Sequence, residues 1–177
     1  EYIARETARS DPEATLLWVR SLGDEKLTEE ATSAALNSWA NQDPRAVVEY
    51  LQRRGDAEQL KKHAGTIANQ WAATDVREAA RWALSLEGDI QKNAIGQVAH
   101  EWLEHNTEEA SVWISGLEAG PAKDEAIRNL VNNVYRSDPQ AAVAWALTIE
   151  DKGERRNSAR RALREMRGNE IQAEQAR

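Results

Sequence analysis

The chain of 177 residues has no cysteine, no phenylalanine, one methionine and four prolines. Without cysteine it forms no disulfide, no thiolate zinc site and no cysteine nucleophile. That absence fits a soluble protein of the cytoplasm and one of the periplasm or cell envelope alike. Long apolar runs are missing too. Nothing approaches the roughly 20 consecutive apolar residues of a membrane-spanning helix, so no membrane insertion is expected. Positive charge is scarce: 23 Lys and Arg stand against 30 Asp and Glu, a net charge of -7. A nucleic-acid backbone calls for a basic footprint, so nucleic acid is not the expected partner. The first residue is Glu rather than Met, which reads as a processed or excised piece.

What is present is polar but patterned. Charged residues make up 30% of the chain and the mean hydropathy is -0.74, against 41% hydrophobic residues. Such a balance suits a fold with a thin core, in which each layer touches only its neighbours. The apolar fraction exceeds that of a disordered chain.

The pattern is a repeat. Asp11-Pro12, Asp43-Pro44, Asp75-Val76, Asn106-Thr107 and Asp138-Pro139 follow one another at intervals of 32, 32, 31 and 32 residues. Seven positions after each stands an aromatic: Trp18, Tyr50, Trp82, Trp113 and Trp145. Four positions before three of them stands another, Trp39, Trp71 or Trp102, with Val134 in that place at the fourth junction and Met166 one period later. Asp or Asn followed by Pro is a helix start, the side chain capping free amides and the ring suiting the first helical position. Asp75 with Glu78, and Asn106 with Glu109, have capping-box spacing. A first helix follows, its buried stripe being Thr15, Trp18, Val19 and Leu22 in the first copy and Ala142, Trp145, Ala146 and Ile149 in the last.

Gly23, Gly55, Gly88, Gly120 and Gly153 come after the first helices, where a left-handed residue ends a helix. Second helices are expected over residues such as 27–40, 58–73 and 154–167. The second helix of the third repeat carries Ala94, Ile95, Val98 and Trp102 on its buried face. Small residues along these faces (Ala31, Ala34, Ala35, Ala64, Ala68, Ala99) let helices approach closely. The repeats span approximately 11–42, 43–74, 75–105, 106–137 and 138–168, within one domain over 1–177. Residues 1–9 read as the second helix of a preceding partial repeat, and residues 169–177 as a polar tail that is a frayed helix or a linker. About eleven helices and no strand are expected.

With its recurring Trp-Ala-x-x-Asp-Pro (Trp39 to Pro44, and Trp71 to Asp75 without the Pro), this pattern resembles the tetratricopeptide and HEAT-like superfamily of αα-repeats. It also resembles repeats in uncharacterised bacterial proteins. The tetratricopeptide repeat usually has 34 residues and a Pro ending its second helix, whereas this one has a shorter period and its Pro at the start of the first. The resemblance implies an all-α, right-handed α-α superhelix, or solenoid, of about five helix-pair repeats. It implies an interaction scaffold that binds a protein or peptide in a concave groove lined by first helices, without a reaction or a cofactor.

The first-helix positions that vary between copies are then the candidate contacts. Six residues after the cap they read Leu17, Glu49, Arg81, Val112 and Ala144, and nine after it Arg20, Gln52, Leu84, Ser115 and Leu147. Leu17, Arg20, Glu49, Gln52, Arg53 and Arg81 make up the expected partner-binding set. The tryptophans, at equivalent places in every copy, are expected in the core rather than on a ligand platform.

No catalytic constellation emerges. His100 and His105 in His-Glu-Trp-Leu-Glu-His are five apart, so they diverge by about 140° around a helix, whereas zinc on a helix wants His at i and i+4. His63, beside Lys61 and Lys62, is expected at a partly exposed surface place. Glu29/Glu30 and Glu108/Glu109 sit near helix starts, where the helix dipole accounts for them. Arg155, Arg156, Arg160, Arg161, Arg164 and Arg167 make the last helix basic, and this reads as a solvated terminal face.

Two alternatives of other classes remain open at this stage. One is a non-catalytic accessory domain of a cell-envelope enzyme, since helical superhelices accompany the catalytic domain in some lytic transglycosylases. The other is a structural spacer or self-assembly element, its incomplete terminal repeat stacking on another copy.

Overall fold

The computed structural model describes residues 2–175, and every regular element among them is an α-helix. In chain order these are α1 (Tyr2–Thr7), α2 (Pro12–Val19), α3 (Glu25–Ala40), α4 (Pro44–Arg53), α5 (Ala57–Leu84), α6 (Gly88–His105), α7 (Thr107–Ser115), α8 (Pro121–Val134), α9 (Pro139–Leu147) and α10 (Lys152–Gln175). α5 is two helices in one span: Asp75 within it has φ -148° and ψ 87°. Counting its halves separately gives eleven helical stretches among the described residues.

The same local chemistry starts each first helix. Asp11, Asp43, Asp75, Asn106 and Asp138 all have φ between -155° and -141°. In each, the side-chain oxygen accepts from the backbone N–H three residues on, at 2.9 to 3.0 Å. The bond satisfies one of the free amides of the first turn, a contribution of about 1 kcal/mol. Gly23 and Gly55 adopt φ of 74° and 64°, a region that costs a residue with a Cβ. Gly153 departs from this expectation. It lies in the first turn of α10, because the link from α9 is held another way. The buried Asp124 of α8 accepts from the N–H groups of Glu150 and Asp151 at 2.8 and 2.9 Å, and Asp151 caps α10 through Glu154 N.

α10 also runs past the expected end of the last repeat, through Gly168 to Gln175. One period after Asp138-Pro139 come Glu170-Ile171, with neither a capping side chain of the usual kind nor a proline to break the ladder.

The chain forms two compact units, Glu1–Ala83 and Leu84–Arg177. In the first, α1 packs against α2 and α3, and α3 against α2 and α4. Its buried residues include Leu16, Val19, Leu36, Val47, Leu51 and Ile67. In the second, α8 packs against α6, α7, α9 and α10, around Ile95, Val98, Ile114, Ile127, Leu130 and Ile149. Burial of each such side chain contributes about 1.5–3 kcal/mol. Close approach is enforced at Gly96 of α6, where a Cβ would lie 2.8 Å from the Glu125 Cγ of α8.

The paired aromatics bridge the junctions between repeats. Trp39 and Tyr50 lie 5.2 Å apart between ring centroids, Trp71 and Trp82 5.6 Å, and Trp102 and Trp113 5.2 Å. In each pair the first ring comes from the end of a second helix and its mate from the following first helix. Such contacts add about 0.5–1.5 kcal/mol beyond area burial. Trp39, Trp82 and Trp102 are buried, and Trp71, Trp113 and Trp145 are half-buried. Trp18 is 43% exposed, because the place eleven residues before it holds Thr7 and no ring.

Candidate binding faces

The six residues of the expected set all lie in the first unit, on α2 and its C-cap Arg20, on α4 and on the second half of α5, and all are exposed. Four of them are engaged with neighbours in the chain. Arg20 pairs with Asp56 at 3.3 Å and Arg53 with Glu13 at 2.9 Å, each joining the first repeat to the second. Glu49 pairs with Arg45 at 3.1 Å and Arg81 with Glu78 at 2.5 Å along their own helices. Leu17 and Gln52 stand exposed between them. Exposed pairs of this kind contribute at most about 1 kcal/mol and exchange readily for other partners.

The second unit presents its apolar side chains at the same repeat positions. Val112, six after its cap, is 67% exposed; Leu84 and Leu147, nine after theirs, are also exposed. With Leu17 they account for four of the ten large hydrophobic side chains that remain exposed among the described residues. Leu84, Val112 and Trp113 line a groove of about 550 Å³, floored by Ile95 and Leu117. Its mouth is held by two polar clasps. Gln91 Nε2 donates to the carbonyls of Leu84 and Leu86 at 3.2 and 2.6 Å. Lys123 Nζ donates to those of Ser115 and Leu117 at 2.9 and 2.8 Å. The expected set left out Leu84, Val112 and Leu147, although reading positions six and nine down all five copies picks them out.

The histidines divide. His100 and His105 are exposed, and His105 Nδ1 lies 2.9 Å from the Glu101 carbonyl. No group of three or more metal-ligating side chains occurs among the described residues. His63 is not at the surface, as expected, but buried at 5% exposure. The repeat register supplies the reason: Ala31, Ala94, Ala126 and Ser158 stand at the same place in the other second helices, and all are buried. Its Nε2 has no hydrogen-bond partner among the described residues. Burial lowers its pKa from the ordinary 6.5, and the nearby Lys62 ammonium adds to this while Glu29 opposes it. Lys62 Nζ donates to Glu29 at 2.5 Å and holds that carboxyl below its usual range.

The arginines of α10 divide as well. Arg155 donates to the Ile149 carbonyl at 3.1 Å. Arg161 donates to Asn132 and lies over the Tyr135 ring at 5.8 Å. Arg156, Arg160, Arg164 and Arg167 instead surround Leu163, Gly168 and Ile171 on the opposite side of the helix. No helix among the described residues is long and apolar enough to cross a membrane.

No family model matches the chain, and no curated protein or solved structure matches it either.

Proposed function

We propose that this protein is a helical-repeat interaction module of the α-solenoid kind, a right-handed stack of helix pairs that holds a protein or peptide segment and catalyses no reaction. The observation that carries this reading is the recurrence of exposed Leu17, Leu84, Val112 and Leu147 at two fixed places of the first helix. An exposed apolar side chain is ordinary when single. Their return at equivalent places of one repeated element, Leu17 in the first unit and Leu84, Val112 and Leu147 in the second, gives each unit a place where a ligand recovers the free energy of burying them. The contact in the second unit is the groove beside Leu84 and Val112, which takes an apolar side chain. The contact in the first unit is Leu17 with the exchangeable charges of Arg20, Glu49, Arg53 and Arg81 and the amide of Gln52.

Selection of a displayed random-peptide library on the immobilised chain tests the reading. Peptides should be recovered whose affinity falls about tenfold or more with Val112→Asp/Leu147→Asp, or with Leu17→Asp/Glu49→Arg/Arg81→Glu. The two variants assign the contact to the second or the first unit. Recovery of no peptide, or of peptides indifferent to both variants, would sink it.

A further inference from the structure

We infer that the face of α10 formed by Arg156, Arg160, Leu163, Arg164, Arg167 and Ile171 docks an acidic amphipathic helix. The argument starts from the repeat register. Leu163 is 51% exposed, yet Leu36, Ala68, Ala99 and Val131 at the same place in the four earlier second helices are all buried. This is the face that, on α6 and α8, lies under the next second helix: α6 packs against α8, and α8 against α10.

The arginines occupy the positions that touch that next helix. Arg156 is equivalent to Lys92, which pairs with Glu125 of α8 at 4.0 Å. Arg160 is equivalent to Gly96, whose carbonyl accepts from Asn129 of α8 at 3.2 Å. Arg164 and Arg167 are equivalent to Asn132 and Tyr135, both of which meet Arg161 of α10. No hydrogen bond or ion pair joins any of the four arginines to another described residue. In the inner layers these places hold a mixture of polar, small and charged residues. Here all four are guanidinium groups, in a chain whose net charge is -7.

The occupant's chemistry follows from what α8 offers α6. Its Glu125 and Asn129 stand four apart, and each is followed by a buried apolar residue, Ala126 and Leu130. A helix with carboxylates at i and i+4, and small or aliphatic residues at i+1 and i+5, meets the arginines in the same register and covers Leu163. Guanidinium–carboxylate pairs at the rim of that contact would be charge-assisted and bidentate. A second copy fits less well. Its α1 has exposed Tyr2 and Ile3, but carries Arg5 and is followed by Arg9, to which Glu6 is already paired at 3.3 Å.

The probe is a stapled, fluorescein-labelled peptide with the sequence of α8 carrying Arg128→Ala and Asn129→Glu. Its control carries Arg128→Ala, Glu125→Lys and Asn129→Lys. Each is titrated by anisotropy against the 177-residue chain and against its Arg160→Glu/Arg164→Glu and Leu163→Asp variants. The altered side chains are exposed, so unchanged thermal melting verifies the fold. The acidic peptide should bind about tenfold or more tightly than its control, more weakly as salt rises, and about tenfold or more weakly to either variant. Equal binding of the two peptides, no binding, or binding indifferent to the variants overturns the inference. So does a dimer in sedimentation that Leu163→Asp abolishes, which makes the occupant a second copy. Binding of the chain to phosphatidylserine vesicles but not to the acidic peptide makes it a membrane. The variants leave Leu84, Val112 and Leu147 in place, so failure here does not bear on the peptide-binding reading.

Discussion

Val131 on α8 and Leu163 on α10 occupy one place in the repeat, and the first is fully buried while the second is half exposed. Both are aliphatic, both lie on second helices, and both follow a stretch rich in Asn or Arg. The difference comes entirely from whether another helix lies over them. Trp102 and Trp18 make a second such contrast. Trp102 stacks on Trp113 and is buried, whereas Trp18 meets no ring among the described residues and remains exposed. Equal positions in a repeat carry equal local instructions, and the number of neighbours sets what each position contributes.

The sharpest break of this comparison is a charge at the buried member. Val131→Asp should cost about 3–5 kcal/mol through loss of packing and burial of an unpaired carboxylate, seen as a large fall in the urea midpoint of the second unit. Trp102→Ala should cost about 3–4 kcal/mol, while Trp18→Ala should stay near 1 kcal/mol or below. Similar losses at the two tryptophans would show that the junction pair is not what stabilises the core there. Asp138→Ala removes a cap and should cost about 1 kcal/mol, with Asp138→Asn recovering most of it, read by thermal melting.

His63 sharpens the comparison through pH. Its folded pKa lies below the unfolded value of 6.5, so on acidification the unfolded chain takes up a proton before the folded one. Its contribution is therefore intact above about pH 6.5 and is lost as pH falls from there through the lowered folded value. His63→Ala, which places at this position the residue that three other copies carry, should flatten the stability profile just below about pH 6.5. A slope unchanged by the substitution would assign it to other groups. Smallest of all, Leu163→Asp should alter stability by no more than about 0.5 kcal/mol, the counterpart to the collapse expected of Val131→Asp.

Much of the helical order was legible in residue types. The five Asp or Asn caps mark their helices because a carboxylate or amide oxygen reaches the free amides of the first turn in any context. The aromatic pairs were legible as a period, though not as pairs, since a spacing of eleven residues says nothing of the turn between them until Asp43, Asp75 or Asn106 bends the chain. His63 was misread from its lysine neighbours, although the register already placed it among buried alanines. For adjacent residues on a helix, neighbours in sequence face different ways, and the equivalent residue one period away is the better guide. The place of Gly153 was not legible, because it depends on what replaces a missing signal, the Asp124 carboxylate; residues 169–177 read as either a frayed helix or a linker, and up to Gln175 the ladder of α10 continues unbroken.

The candidate surfaces divide in the same way. Positions six and nine of the first helix were readable as variable, but which of them remain open was decided by ion pairs such as Arg20–Asp56, which joins the first repeat to the second, and Glu49–Arg45 and Arg81–Glu78. Six arginines in the last helix were plain as a cluster. That two of them reach Ile149, Asn132 and Tyr135 while four surround Leu163 depends on where α8 and α9 lie. The sequence by itself determined the helices, their starts and their common period, because capping and hydrophobic spacing act within a few residues. Only the tertiary structure decided which copy of each position is covered, because coverage requires a neighbouring layer, and no residue carries that information alone.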